Sequence, residues 1–315
     1  MSLTIKFFLY QILIIAPFIA GYAAKKHLKN PKGFSKKLIN INFISLEPVI
    51  AFWSILGLRL SNEMIFLPAG ALMLVLSGFI AGYFFSFTAK MKGIRKSTFI
   101  ISSSLANHGY TMGGFVCYLF LGEQGLGLAV LFISYFMPYI FLFIFPYAKI
   151  ASGKNEYKHN IIKGFFLNIQ NMPFYAIIAA LCFKLAGIKR PEINFPILEL
   201  LMISIALYYF SLGLNFSFDE LKGITKENIF LILIKFMIIP AAALLILSGI
   251  KINHSIKTII LIQSFMPAAI YSVAASILFD LDSKFASGLF VVNTITFITI
   301  VLPVMFMFKD YILNF

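Results

Sequence analysis

The chain has 315 residues, of which 60% are hydrophobic and 12% charged, with a mean hydropathy of +0.93. Soluble domains carry about 25% charged and 45–50% apolar residues, so the composition excludes a soluble globular protein, a disordered chain and a disulfide-stapled secreted module. The net charge of +14 would suggest nucleic acid in a soluble protein, but here it is read through topology, because Lys and Arg collect in cytoplasmic loops, and no nucleic-acid partner is expected.

Ten apolar segments follow one another, each long enough to cross about 30 Å of hydrocarbon at about 1.5 Å per residue. The first, 3–24, has one charge near its start, Lys6, and runs straight into Lys25-Lys26. It is too long for the apolar core of a signal peptide and reads as a membrane span. The second, 38–58, contains Glu47 beside Pro48, and the third is 65–88. The fourth, 97–121, carries Ser102-Ser103-Ser104-Leu105-Ala106-Asn107-His108-Gly109-Tyr110, a poor helix interior. The fifth is 125–148, the sixth 168–186, and the seventh, 196–216, contains Glu199. The eighth, 227–248, holds Lys235 about eight residues in, some 12 Å deep. The ninth, 256–280, reads Gln263-Ser264-Phe265-Met266-Pro267-Ala268-Ala269-Ile270-Tyr271, with a proline that removes one helical bond. The tenth is 285–307.

Charges in alternate loops set the orientation. Lys25, Lys26, Lys29, Lys32, Lys36, Lys37, Lys90, Lys92, Arg95, Lys96, Lys149, Lys154, Lys158, Lys163, Lys222, Lys226 and Lys284 make 17 on one side. The other side has 8: Lys6, Arg59, Lys184, Lys189, Arg190, Lys251, Lys257 and Lys309. The bias puts the first set, with the loop 149–167, in the cytoplasm and both termini outside a cell membrane.

The chain also resembles itself. Leu56-Gly57-Leu58-Arg59-Leu60-Ser61 recurs as Leu212-Gly213-Leu214-Asn215-Phe216-Ser217, and Glu63-Met64-Ile65-Phe66-Leu67 as Glu227-Asn228-Ile229-Phe230-Leu231. Lys96-Ser97 and Tyr110-Thr111 align with Lys257-Thr258 and Tyr271-Ser272, and Phe120-Leu121-Gly122-Glu123 with Phe279-Asp280-Leu281-Asp282. A unit of five spans is odd, so two copies cross the membrane in opposite senses. The expected fold is therefore an all-α integral membrane protein of ten transmembrane helices. Two inverted repeats, 1–148 and 168–315, would flank a cytoplasmic linker at 149–167. Spans 4 and 9 correspond in the repeat and both are interrupted. Broken helices at membrane depth expose backbone N–H groups at one half-helix and C=O groups at the other, and such paired interruptions mark transport sites. Where the breaks meet, positive dipole ends can face an anion.

The candidate substrate residues are Ser102, Asn107, His108, Gly109, Tyr110, Gln263, Ser264, Pro267 and Tyr271. None of them supplies a fixed positive charge. Glu47, Glu199 and Lys235 are candidates for coupling or charge pairing, because ionisable groups inside spans are functional candidates. Lys235 could snorkel to the interface or pair with a carboxylate or an anionic substrate. His108 could carry protons. Glu123, Asp280 and Asp282 near span ends read as solvated charges, and Cys117 and Cys182 as small hydrophobes. Four His without a metal-ligand cluster argue against a metal site.

The stretch from Asn107-His108-Gly109-Tyr110 through Gly122-Glu123-Gln124-Gly125-Leu126 resembles the fourth span of the auxin efflux carrier family. Phe210-Ser211-Leu212-Gly213-Leu214 and Lys235-Phe236-Met237-Ile238-Ile239-Pro240 resemble its seventh and eighth spans. Met266-Pro267-Ala268-Ala269, Asp282 and the tail to Pro303 resemble its last two. Plant members carry proline at both interruptions; here span 4 has Asn107 and Gly109 instead. The resemblance implies a scaffold of helices 1, 2, 6 and 7 and a transport unit of helices 3–5 and 8–10, with helices 4 and 9 crossing. It implies a secondary transporter of a small organic anion working by alternating access. A sodium-coupled carrier like the related bile acid symporters is the alternative, and a multispan enzyme or a receptor is the alternative from another class. No DDxxD, nucleophile elbow or phosphate-binding GxxxxGK[ST] is present, so no enzymatic activity and no cofactor is expected. Na+ or H+ stays open as the coupling ion, and so does a homodimer.

Overall fold

The computed structural model describes residues 3–153, 171–216 and 226–315. Most of the linker 149–167, the start of the sixth segment at 168, and Lys154, Lys158, Lys163 and Lys222 lie outside the described residues. The described residues are all-helical apart from one isolated bridge pair. In chain order the helices are α1 Leu3–Ala24, α2 Pro31–Gly57, α3 Asn62–Thr88, α4 Gly93–Ser104 and α5 Tyr110–Ser152. There follow α6 Met172–Leu185, α7 Ile197–Asn215, α8 Lys226–Gly249, α9 His254–Ser264, α10 Ile270–Leu278, α11 Ser283–Met307 and α12 Lys309–Leu313. Of these, α2, α3, α5, α7, α8 and α11 are long and apolar enough to cross a membrane, and Phe8–Ala24 and α6 are shorter apolar helices. The protein is a multi-pass helical membrane protein.

Two boundaries have local causes, and one of them differs from the expected place. The second helix starts at Pro31, not near 38, because Asn30 caps it by accepting from Gly33 N at 2.9 Å and Pro31 fits the first turn. The other boundary, between the fourth and fifth segments, falls at Gly122 as expected: α5 is two helices meeting at a kink there, where Gly122 leaves helical geometry at φ +63, ψ −149. Glycine takes that left-handed conformation without a Cβ clash.

Prolines shape the long helices by one rule. A proline lacks the N–H and clashes with the carbonyl four residues back. Pro48, Pro146, Pro240 and Pro303 each follow a wide π turn, at Asn42–Leu46, Ile140–Ile144, Ile234–Ile238 and Phe297–Val301. In every case the residue four before the proline (Ile44, Leu142, Phe236, Thr299) is the centre of that turn. The helix widens where the clash would fall, and a widened turn re-aims its side chains.

The residues fall into two compact units. One contains Met1–Ser61, Gly109–Ser134 and Gly164–Ser217. Within it α1 and α7 pack backbone to backbone. A Cβ on Gly21 would lie 2.1 Å from Phe210 O, and one on Gly213 would lie 2.1 Å from Phe18 O. Small residues permit that approach where lipid offers no competing hydrophobic drive. In the same unit Glu123 accepts from Arg190 Nη1 at 3.1 Å, Arg190 Nη2 at 3.3 Å and Trp53 Nε1 at 3.3 Å. Phe195 stacks on that indole at 4.1 Å. Glu123 is thus part of a bidentate pair, a correction to its reading as a solvated loop charge.

The other unit contains Asn62–His108, Tyr135–Lys163 and Phe218–Phe315. Here α3 lies against α4 through Gly78, whose Cβ would come within 2.3 Å of Ser103 O. Arg95, at the start of α4, reaches Glu227 at 3.4 Å and Asp282 at 3.7 Å and covers the Phe285 ring at 3.9 Å. Asp282, also read as a solvated charge, accepts from Phe285 N at 3.0 Å and caps α11.

Candidate functional site

Two helices of the second unit stop at the same place. α4 ends at Ser104, and Leu105 turns to extended backbone at φ −73, ψ 131. Its last turn is Ser102-Ser103-Ser104, residues whose hydroxyls compete with the helical ladder. Ser103 Oγ indeed donates back to Phe99 O at 2.8 Å. α9 ends at Ser264 because Pro267 cannot donate and would clash with the carbonyl of Gln263. Helix resumes as α10 after Ala269, which is extended at φ −81, ψ 146.

The two extended stretches pair with each other. Asn107 N donates to Pro267 O at 2.7 Å, and Ala269 N donates to Leu105 O at 3.1 Å. These bonds flank an antiparallel bridge between Ala106 and Ala268. A two-bond ladder deep in the protein meets the requirement that buried backbone groups find partners. Each break supplies what the other lacks.

Side chains complete that accounting. Ala268 N, which points away from the ladder, donates to Asn293 Oδ1 at 2.7 Å. Lys235, 0% exposed, donates from Nζ to Leu105 O at 2.9 Å and to Ser104 O at 3.4 Å. A cation at the carbonyl end of α4 also suits the helix dipole. Lys235 reaches it from the widened turn Ile234–Ile238 that Pro240 imposes. Ser104 Oγ donates to Val75 O at 2.9 Å and shares a 2.8 Å hydrogen bond with Tyr139 OH. His108 Nδ1 shares one of 2.8 Å with Tyr135 OH.

Some donors at the break remain unused. Asn107 Nδ2 and Asn293 Nδ2 are buried without a hydrogen-bond partner, as are Ser102 Oγ and Thr294 Oγ1. Buried polar groups are ordinarily satisfied, so an unsatisfied amide donor beside a helix break calls for a ligand or water.

The sequence-derived candidates therefore divide. Asn107, Pro267, His108, Ser102, Gln263, Ser264 and Tyr271 belong to the unit that holds the break, and all but Tyr271 and Pro267 are among its buried polar residues. Ser264 Oγ bonds back to Leu261 O at 2.6 Å, so it serves its own helix. Tyr271 packs edge-on against Phe136 at 5.0 Å. Gly109 and Tyr110 lie in the first unit, where Gly109 O accepts from Gly114 N at 2.9 Å. Glu47, buried, and Glu199, exposed in the first turn of α7, also belong to that unit and not to the one with the break. Lys235 is the main correction. It neither snorkels nor pairs with a carboxylate among the described residues, and it brings to the break the amine that the substrate candidates lacked. Asn293, Tyr135 and Tyr139 were not among the candidates. An Asn within the apolar run Val291-Val292-Asn293-Thr294-Ile295 was a readable signal.

A family model described as membrane transport protein matches residues 7–306. The chain belongs to this family, that of the auxin efflux carriers. It is a membrane transporter, and its family is one of transporters, not enzymes. An uncharacterized transporter of Methanocaldococcus jannaschii is 28% identical over 218 residues, covering 68% of this chain and 69% of that protein. In this auxin efflux carrier family member the matched region takes in both interrupted helices and Lys235, Asn107 and Asn293.

Proposed function

We propose that the protein moves a small organic anion across the cell membrane by alternating access, with the substrate held where α4 and α9–α10 are interrupted. The observation that carries this reading is a pair of unpartnered amide donors at a break that holds no carboxylate. Two buried carboxamide NH2 groups, Asn107 and Asn293, have no partner, and Lys235 Nζ from α8 bonds the carbonyl of Leu105, two residues before Asn107. No Asp or Glu occurs between Glu63 and Glu123, between Glu227 and Asp280 or between Asp282 and Asp310. A site with amide donors, an ammonium and no carboxylate favours an anion.

The architecture we propose is ten transmembrane helices in two inverted five-helix repeats, with both termini outside. Two further correspondences support the repeat besides the paired breaks. The widened turns before Pro146 and Pro303 fall 157 residues apart, within the spacing of the sequence matches. Left-handed residues Gly122 and Asp280, at φ +63 and +51, each precede the last helix of their repeat. A labelling reagent that cannot cross the membrane should reach a cysteine at Lys92, after replacement of Cys117 and Cys182, only from the cytoplasmic side.

Function is tested by thermal unfolding of the purified protein against a panel of mono- and dicarboxylates, followed by uptake of any stabilising anion into proteoliposomes. A ligand that binds only the native state raises its stability by mass action. Stabilisation by cations or by neutral compounds alone would contradict the reading.

A further inference from the structure

The interrupted helices present two kinds of backbone end, and the carbonyl end of α4 is the natural seat for a positive ion. That seat is taken. Leu105 O has two lone pairs, and it accepts from Ala269 N at 3.1 Å and from Lys235 Nζ at 2.9 Å. Ser104 O accepts from the same ammonium at 3.4 Å. The nitrogen is fully enclosed, so no water screens its charge. Beyond Glu63 at the start of α3, which accepts from Asn253 N at 2.7 Å, and Glu227 at the start of α8, neither α3, α4, α8, α9–α10 nor α11 contributes a carboxylate, and Glu227 and Asp282 are engaged by Arg95 at the far end of α4. An enclosed cation without an internal counter-charge is costly, and the cost falls when an anion arrives beside it.

We propose that Lys235 is the resident cation of the transport site: it fills the position a coupling Na+ would need and acts as counter-charge to the substrate, so that no Na+ takes part. This rests on the organic-anion reading above. It assigns the ion economy of the site to one side chain, and it makes a reciprocal statement. Removing the side chain vacates two carbonyl oxygens at a helix C-terminus and creates a place for an alkali cation.

The test is thermal unfolding of the purified full chain in NaCl and in choline chloride at equal ionic strength, with and without benzoate and succinate as probes. The wild type should unfold at the same temperature in both salts, and any probe that stabilises it should do so equally in both. Lys235→Ala should gain a stabilisation by NaCl over choline chloride, and its affinity for the probe in choline chloride should fall at least about tenfold. Lys235→Arg keeps the charge and should keep the probe response in both salts. A Na+ requirement for probe binding in the wild type overturns the proposal. So does Lys235→Ala with wild-type affinity in choline chloride, or without any Na+ response. If neither probe stabilises the wild type in either salt, the organic-anion reading is what suffers, while the Na+ response of Lys235→Ala still decides the seat. Should Lys235→Ala fail to fold, Lys235→Arg decides instead: loss of its probe response overturns the proposal.

Discussion

The α1–α7 pair and the α4–α9–α10 break solve the same problem in opposite ways. In the first, the helices run on without interruption and glycines let the backbones touch, Gly21 on Phe210 and Gly213 on Phe18. The contact itself is made by small residues and backbone, not by polar side chains. In the second, both helices stop, and the freed backbone groups are satisfied by each other, by Asn293 and by Lys235. The second solution costs more residues and leaves spare donors. Close packing gives a stiff element, whereas an interrupted pair gives a polar place that a substrate can use.

The comparison can be broken hardest at the glycines. Gly213→Leu forces a branched side chain into Phe18 O, and overpacking of this kind costs about 1–3 kcal/mol, sometimes more. The expected outcome is loss of monodisperse protein in size-exclusion chromatography, whatever ligand is added. Retention of a normal elution profile would mean that the α1–α7 contact is looser than the geometry says. Next comes Asn293→Ala, which leaves the Ala268 N–H buried without an acceptor, a loss of about 1–3 kcal/mol. It should lower the unfolding temperature and also remove the response to a stabilising anion. Asn293→Asp keeps the acceptor but places a carboxylate beside the break, so it should restore part of the stability and none of the anion response. The smallest effect belongs to Glu199→Gln. An exposed side chain away from both regions should shift stability by no more than about 0.5 kcal/mol and leave transport intact. A strong transport defect there would return Glu199 to the list of coupling groups.

Both interruptions were legible in the sequence, since Pro267 and the Ser-Ser-Ser-Leu-Ala-Asn-His-Gly run are hostile to helix for stated reasons. That the two breaks hydrogen bond to each other is a long-range fact which their correspondence in the repeat made reasonable to expect. The partner of Lys235 was not legible. Depth alone left snorkelling, a carboxylate or a substrate, and a pair of backbone carbonyls 130 residues away has no signature in composition. Asn293 was legible in principle, as an amide inside an apolar run, but it lies a helix away from either interruption in sequence. Glu199 shows that lying within a span need not mean burial. Its span, expected at 196–216, is the helix Ile197–Asn215, and Glu199 lies in the first turn, exposed. The widened turns could have been expected from Pro48, Pro146, Pro240 and Pro303, although which side chain each turn re-aims depends on its neighbours.

The central claim, that the paired breaks hold the substrate, is tested most directly by Asn107→Ala. Its backbone bond to Pro267 survives the substitution and its Nδ2 has no partner to lose. The expectation is an unfolding temperature close to wild type, within about 1 kcal/mol of stability, together with loss of the stabilisation by the anion that the carboxylate panel identifies. An Asn107→Ala protein that binds and transports that anion as the wild type does would contradict the account and move the site away from the break, toward Glu47 in the first unit.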